Sequence, residues 1–431
     1  MAIETYAQPR GAAHPSAESE GGPAGAKVRV LIVAPAPLND PRSGGIANFI
    51  RGFIRFMPAD FEVEILGAAI GDSTYPVRWH RLEVAGRPVR FFPVARAAGA
   101  RRTGLVPAKV RIVAGILRHR RRIATTGRVL QVHAPATELG LHGRDVPTIR
   151  VVHGSPDDLA NAAAAHGGSL TSGAVRLAES HTYRNADALF FVDRATHDVY
   201  RRGADRPERF HYLVNGVDTS LFYPVFGAAR TVARTRVAGE LGLDPSRAWL
   251  LYAGRLDEQK DPLLLIAAFA EYMRNAPSRP AQLILVGDGR LRSRAEQAAQ
   301  ARGIALDTRF IEAMSPDRLA HVMRAADALA MTSAFEASPF VVVEALASGL
   351  PVVSTSVGEV PSVIEHGDTG WIASGRSAVS LSEGIAWALT QDREAIGQRC
   401  ATAGQRYELS SLLQPFYDEH RRLSRLVPAT A

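Results

Sequence analysis

Apolar positions along the chain fall into short runs separated by longer stretches of helical spacing. Val28–Ala34 is an apolar run with β-branched residues, the pattern of a strand buried on both faces of a parallel sheet. A loop follows over 35–45. Ile46, Phe49, Ile50, Phe53, Ile54 and Met57 then recur at helical spacing. Phe61–Leu66, Val129–His133, Thr148–His153 and Ala188–Val192 read as further strands of the same sheet. Residues 71–107 depart from this alternation. There Trp79–Val84 and Pro88–Val94 flank Ala85-Gly86-Arg87, which predicts a β-hairpin insertion.

The polar stretch Asn215-Gly216-Val217-Asp218 is a turn signal, and with Pro224 and Gly227 behind it the domain junction falls near 215–230. A second alternating series follows. Its strands are Trp249–Ala253, Gln282–Val286, Thr308–Ile311, Ala328–Thr332 and Pro351–Ser354. Its helices are Pro262–Arg274, Arg292–Arg302, Ser315–Ala326 and Phe340–Ala347, with late helices at Glu383–Leu389 and Tyr407–Leu426. The pattern predicts an α/β fold of two doubly wound, Rossmann-like domains facing across a cleft. The expected divisions are a disordered tail over 1–26, an N-terminal domain over 27–218, a C-terminal domain over 219–405 and a final helical segment over 406–431.

Composition narrows the class. With 431 residues, 46% hydrophobic and 22% charged, the chain is neither disordered, collagen-like nor a coiled coil. A single cysteine, Cys400, excludes an internal disulfide framework and a multi-cysteine zinc site. No apolar stretch reaches the roughly 18–20 residues of a membrane span. The first 26 residues lack the apolar core of a secretory signal, so a cytoplasmic location is expected. The net charge of +8 concentrates at Arg96–Arg102 and Arg118–Arg122. Solvated surface accounts for most of it. The sharper reading is a patch, at Arg118–Arg122 in particular, for a phosphate-bearing acceptor or a peripheral contact with an anionic membrane. Nucleic acid is not expected, because no aromatic-interleaved basic motif or zinc-finger spacing is present. Only three of the 51 basic residues are lysines, Lys27, Lys109 and Lys260, so each lysine calls for a reason.

In doubly wound sheets, ligands sit at the carboxyl ends of the strands. Strand 249–253 ends in Gly254-Arg255, with Lys260 just ahead of Asp261-Pro262, a helix cap and first position. Two cations in one short loop would neutralise a diphosphate. The loop after strand 328–332 carries Glu336 and Glu344 with seven residues between them, and Ser338-Pro339 at the helix start. Ser338 is the expected cap, and the N–H groups of Phe340–Val342 then form an anion site. One carboxylate would reach a sugar hydroxyl and the other a ribose. Alone, Glu344 reads equally as a helix-dipole partner and Glu336 as a solvated loop acid. Ser43-Gly44-Gly45 opens the first helix and would allow close backbone approach to phosphate or sugar. His133 and His153 each end a strand at the expected cleft, and for His153 a histidine merely satisfied at a strand end is an equally good reading.

Together, Gly254-Arg255-Leu256 with Lys260, the Glu336/Glu344 helix start, Val214-Asn215-Gly216-Val217-Asp218 and the N-terminal Gly-Gly pair resemble the retaining glycosyltransferases of family 4, which have the GT-B fold. The resemblance covers about residues 28–425 and is most specific in the C-terminal half. It implies that the C-terminal domain binds a nucleotide diphosphate sugar, that the N-terminal domain binds the acceptor, and that the last helix crosses back to the N-terminal domain. By the same resemblance, Arg255 and Lys260 hold the diphosphate, Glu336 holds the donor sugar and Glu344 the ribose. Ser338, Pro339, Phe340 and Val341 form the helix start against the donor. Gly44 and Gly45 close over it, and His133 contacts sugar or phosphate. The expected catalytic set is His133, Glu336, Arg255 and Lys260. His153 and Trp79 are the expected acceptor contacts.

Two positions depart from the family pattern. Ala337-Ser338-Pro339 replaces the usual Gly-Phe-Gly or Gly-Phe-Pro, and Asp193 stands where serine is frequent. No Asp-x-Asp occurs in the chain, which argues against a metal held between aspartates, so no metal or cofactor is expected. The resulting expectation is a metal-independent, front-face transfer from a UDP- or GDP-type sugar to a small-molecule or lipid-linked acceptor, in bacterial natural-product or cell-envelope biosynthesis. The alternatives are an epimerase, phosphorylase or pseudo-glycosyltransferase of the same fold, and an inactive carbohydrate-binding protein. Donor base, acceptor and oligomeric state stay open at the level of sequence.

Overall fold

The computed structural model describes residues 27–35, 37–38, 44–69, 76–96, 108–134, 137, 141, 146–154, 183–275 and 279–427. The expected tail, Ser43 and residues 97–102 of the first basic cluster lie outside the described residues.

Eight strands form the first sheet: β1 (Val28–Val33), β2 (Phe61–Ala69), β3 (His80–Val84), β4 (Arg87–Arg96), β5 (Val129–Val132), β6 (Thr148–Val152), β7 (Ala188–Phe191) and β8 (Phe210–Tyr212). Their order is β3-β4-β2-β1-β5-β6-β7-β8. Six form the second: β9 (Ala248–Ala253), β10 (Ala281–Val286), β11 (Thr308–Ile311), β12 (Ala328–Met331), β13 (Val352–Ser354) and β14 (Gly370–Ile372). Their order is β11-β10-β9-β12-β13-β14, and all of their pairings are parallel.

The strands near each sheet's centre lack polar alternation because both faces are covered. In β1, Val30 and Ile32 pack under the helices Gly45–Phe56 and Gln414–Ser424, while Leu31 and Val33 pack against Ile112 and Ile116 of the helix Ala108–His119. In β9, Trp249 and Leu251 face one cluster while Leu250 and Tyr252 face the other. At roughly 1.5–3 kcal/mol per buried large apolar side chain, these two-sided cores dominate the stability of both halves.

Several expectations change. The segment read as a hairpin insertion extends the parallel sheet: β4 runs parallel to β2 and only β3 is antiparallel. The turn is Ala85-Gly86, both with positive φ (51° and 76°), so Arg87 already belongs to the strand. The helix expected over Tyr407–Leu426 is two, Leu409–Leu412 and Gln414–Ser424, with a proline in the first turn of the second. That proline, Pro415, has no N–H to continue the ladder. The helix Arg393–Gln405 was not expected. Its buried side includes Gly397, Ala401, Ala403 and Gly404, which give little apolar periodicity. Among the described residues, no helix is long and apolar enough to cross a membrane.

Candidate active site

A cleft of about 750 Å³ is lined by both halves of the chain. The loop after β9 supplies Arg255 and Lys260. Asp261 caps the helix Pro262–Arg274, accepting from the Leu264 N–H at 3.1 Å from a left-handed backbone (φ 46°). Arg255 is half-exposed and pairs with Asp257 at 2.6 Å, and its guanidinium donates to Gln259 at 2.8 Å. The two sheet-end loops are stitched together. Thr332 Oγ1 donates to the carbonyls of Lys260 (3.1 Å) and Asp261 (2.9 Å), and the Ala334 N–H donates to the Gln259 carbonyl (2.7 Å). This brings the Lys260 ammonium onto the Glu336 carboxylate. Ser333 Oγ donates to the same carboxylate oxygen at 2.7 Å. The side chains are 18% and 10% exposed, so the pair is largely desolvated and each charge depends on the other.

Ser338 does not cap the following helix. The cap position is Pro339 and carries no side-chain bond. Instead Ser338 Oγ accepts from the Asn215 N–H at 3.2 Å, and the Ser338 carbonyl accepts from Asn215 Nδ2 at 2.6 Å. The serine is drawn away from the helix because its polar groups join the two halves of the chain. Phe340 opens the helix and packs on Gly45, where an added Cβ would lie 3.6 Å from its ring. Glu344 sits further into the helix, on its cleft side. Burial pushes its carboxyl up to about 7.

The opposite wall carries Gly44, Gly45, His133, Arg150 and His153. His133 and His153 stack at 5.3 Å, with His133 Nδ1 3.0 Å from His153 Nε2. Burial holds His133 well below the usual histidine range, and burial followed by the Arg150 charge holds His153 down to about 3. Both rings are therefore neutral at physiological pH.

Every residue expected at the site lines this cleft except Trp79. Trp79 packs on Phe92 (5.3 Å), with the Arg90 guanidinium 4.8 Å from its ring. It lies against β4 at the outer edge of the sheet, so the structure does not bring it to the cleft. Asp193 caps the helix Arg194–Arg202, accepting from the Thr196 N–H at 2.8 Å, which explains the acid at that position. Sequence reasoning missed Glu359. Its carboxylate accepts from Tyr212 Oη (2.8 Å) and from the Arg194 N–H (2.5 Å), a second tie between the halves. No spacing marks it, because its partners come from distant strands and loops. Among the described residues, no three His, Cys, Asp or Glu side chains gather as a metal site.

The arrangement places two cations and a helix start at one end, carboxylates on either side, and neutral histidines opposite. It suits a ligand with a central diphosphate and hydroxyls flanking it.

Residues 234–406 match the family model "Glycosyl transferases group 1". The chain is 28% identical over 369 residues to the D-inositol 3-phosphate glycosyltransferase of Rhodococcus erythropolis, covering 81% of this chain and 80% of that protein. It is 29% identical over 389 residues to the Nocardia farcinica enzyme of the same name, covering 86% and 83%. Among solved structures, sucrose-phosphate synthase from Thermosynechococcus elongatus superposes with a TM-score of 0.72 at 19% identity, covering 93% of this chain and 100% of that one. Anabaena HepE in complex with UDP and glucose superposes with a TM-score of 0.67 at 19% identity, covering 91% and 99%.

Proposed function

This chain is a glycosyltransferase of the GT-B fold with the group 1 pattern in its C-terminal half, and on that premise we propose that it transfers a sugar from a nucleotide diphosphate sugar to a polyol acceptor with retention of configuration. The observation that carries this reading is the Lys260–Glu336 pair, set beside Arg255 and the start of helix Phe340–Ala347. When a donor binds, Lys260 and Arg255 turn to the diphosphate, Glu336 accepts a hydroxyl of the sugar, and Glu344 accepts the ribose hydroxyls. The cations and the positive end of the helix Phe340–Ala347 stabilise the charge that develops on the leaving diphosphate, although the Val342 N–H is already taken by the Pro339 carbonyl at 3.2 Å.

No carboxylate is assigned behind the anomeric carbon. The proposed course is therefore front-face: the acceptor oxygen bonds to the anomeric carbon on the face the diphosphate leaves, and the diphosphate oxygen takes the acceptor's proton. Bond formation, bond cleavage and proton transfer balance without a metal or a covalent intermediate. Turnover is accordingly expected to persist in EDTA. A phosphorylated cyclitol is the acceptor class favoured, because the relatives bear that name and the Arg150 cation lines the N-terminal wall. Catalysis would take place in the cytoplasm, where nucleotide sugars are made.

The test is the anomeric configuration of the product, read by proton NMR after reaction of an α-linked nucleotide sugar with a cyclitol phosphate. An α-linked product is expected. A β-linked product, or a trapped glycosyl-enzyme, would overturn the front-face course. Epimerisation of the nucleotide sugar without acceptor would favour the rival chemistry.

A further inference from the structure

Four polar side chains form one hydrogen-bonded line behind the N-terminal wall of the cleft. It begins on the last helix, where His420 Nδ1 lies 2.7 Å from the Phe416 carbonyl. His420 Nε2 is 2.9 Å from Gln131 Oε1, and the other end of that amide is 2.7 Å from His133 Nε2. His133 Nδ1 then meets His153 Nε2 at 3.0 Å. His420 and Gln131 are fully buried, and the rings of Phe49, Phe53 and Phe416 enclose the line. The proposed transfer gives Gln131 and His420 no role, and buried polar groups in such surroundings are costly unless every bond is made.

The inventory of donors gives the line a direction. A carbonyl only accepts, so His420 Nδ1 carries the hydrogen. Burial pushes His420 down to about 4, outweighing the Phe416 carbonyl and Glu419, so the ring is neutral and its Nε2 offers only a lone pair. The group facing that lone pair must donate. Turning the Gln131 amide by half a rotation places its NH₂ on His420 and its oxygen on His133. The oxygen then accepts from His133 Nε2–H. His133 Nδ1 becomes an acceptor, and His153 supplies Nε2–H. The Nδ1 of His153 is left with its lone pair and has no partner among the described residues, while the ring lines the cleft.

We infer that His420 is a positioning residue which, through Gln131 and His133, fixes the tautomer of His153 so that an unprotonated Nδ1 accepts a hydrogen bond from the acceptor's hydroxyl. The identity of that hydroxyl rests on the proposed glycosyl transfer, whereas the tautomers do not. His153 is too weak a base to remove the proton. It aims the hydroxyl and leaves the proton for the diphosphate. An imidazolium at His420 would reverse every bond in the line and present Nδ1–H instead.

Nitrogen-15 NMR of the full chain labelled at histidine reads the tautomers directly. The expected spectrum shows His420 protonated at Nδ1, and His133 and His153 protonated at Nε2. A protonated Nδ1 on His153 overturns the inference, whatever the activity. In His420→Phe, which keeps a ring in the buried space, the His153 signals are expected to shift towards an average of the two tautomers. The kcat/KM for the acceptor should fall while the KM for the nucleotide sugar stays unchanged. Undisturbed His153 signals in that variant would remove His420 from the role. Gln131→Glu supplies a second variant, in which the carboxyl accepts from His133 whether it donates its own proton to the neutral His420 or pairs as a carboxylate with a His420 imidazolium. His153 then keeps Nε2–H, and its loss there overturns the inference as well. Should glycosyl transfer itself prove wrong, the wild-type tautomers would stand and only the ligand would need a new name.

Discussion

Lys260 and Glu336 are the most informative pair in the chain. Lysine is rare here, and this one is held against a largely desolvated carboxylate at the cleft. Lys260→Ala is expected to lower kcat/KM by about 10²–10³-fold, the scale of losing one charge-stabilising donor. Lys260→Arg should recover little, because a planar guanidinium does not substitute for a point ammonium in that space. Nucleotide release assayed against varied nucleotide sugar measures both.

Glu344 predicts a pH effect. Its folded pKa of about 7 lies above the ordinary carboxyl value of 4.5, so the folded chain holds its proton longer than the unfolded chain. The sign follows from linkage: stability falls as pH rises from about 4.5 to about 7, by a few kcal/mol at most, and is level above that. Glu344→Gln should flatten this interval in denaturant titrations. A ribose held by the ionised carboxylate also requires Glu344 to lose its proton on binding. Nucleotide affinity should therefore rise between pH 6 and 8 in wild type by more than in Glu344→Gln, which shares the nucleotide's own titration. Calorimetry in two buffers of different ionisation heat detects the released proton. Arg255, Lys260, Glu336 and Glu344 were legible as candidates because each is a charged residue beside a strand end or helix start. Glu359, Gln131 and His420 were not, because their partners come from remote parts of the chain.

Loops after β9, β12 and β13 hold the site, and one glycine shows how closely. Gly358 has φ +50°, and a Cβ there would run into the carbonyl oxygens of Glu336 and Ala337. The next residue's N–H donates to the Ala337 carbonyl at 2.8 Å, so this turn backs the Glu336 loop. Gly358→Ala is expected to cost about 1–3 kcal/mol in stability and to raise the KM for the nucleotide sugar, as measured by thermal melting and initial rates. The strands of the sheet centres were legible because two-sided burial writes an apolar run into the sequence. The three-residue strands β8 and β14 and the small-residue helix Arg393–Gln405 were not, because they carry too few large apolar positions to show a period. The β-hairpin itself was readable from its turn, but its parallel pairing with β2 depends on contacts between segments far apart in sequence.

The last helix ties the two halves into one molecule. Phe416, Tyr417 and Leu423 are fully buried in the N-terminal core, and Tyr417 Oη donates to the Phe53 carbonyl at 2.8 Å. Val217 and Glu408 form an isolated bridge at the junction. Removing 406–431 would expose several large apolar side chains at roughly 1.5–3 kcal/mol each. The truncated chain is therefore expected to lose its cooperative N-terminal melting transition in calorimetry. The arginine surplus also takes a structural meaning at this level. Asp327 is buried and pairs with Arg230, Arg234 and Arg279, so part of the basic excess holds the C-terminal core rather than a polyanion.

The proposed function makes this cleft the seat of a nucleotide diphosphate, with Lys260 and Glu344 among its contacts. The most direct test is the thermal shift of wild type, Lys260→Ala and Glu344→Gln with UDP, GDP, ADP and dTDP. One nucleotide is expected to raise the Tm of wild type, with the rise lost in Lys260→Ala and reduced in Glu344→Gln. No rise with any nucleotide, or an equal rise in all three proteins, would contradict the assignment of this cleft to the donor.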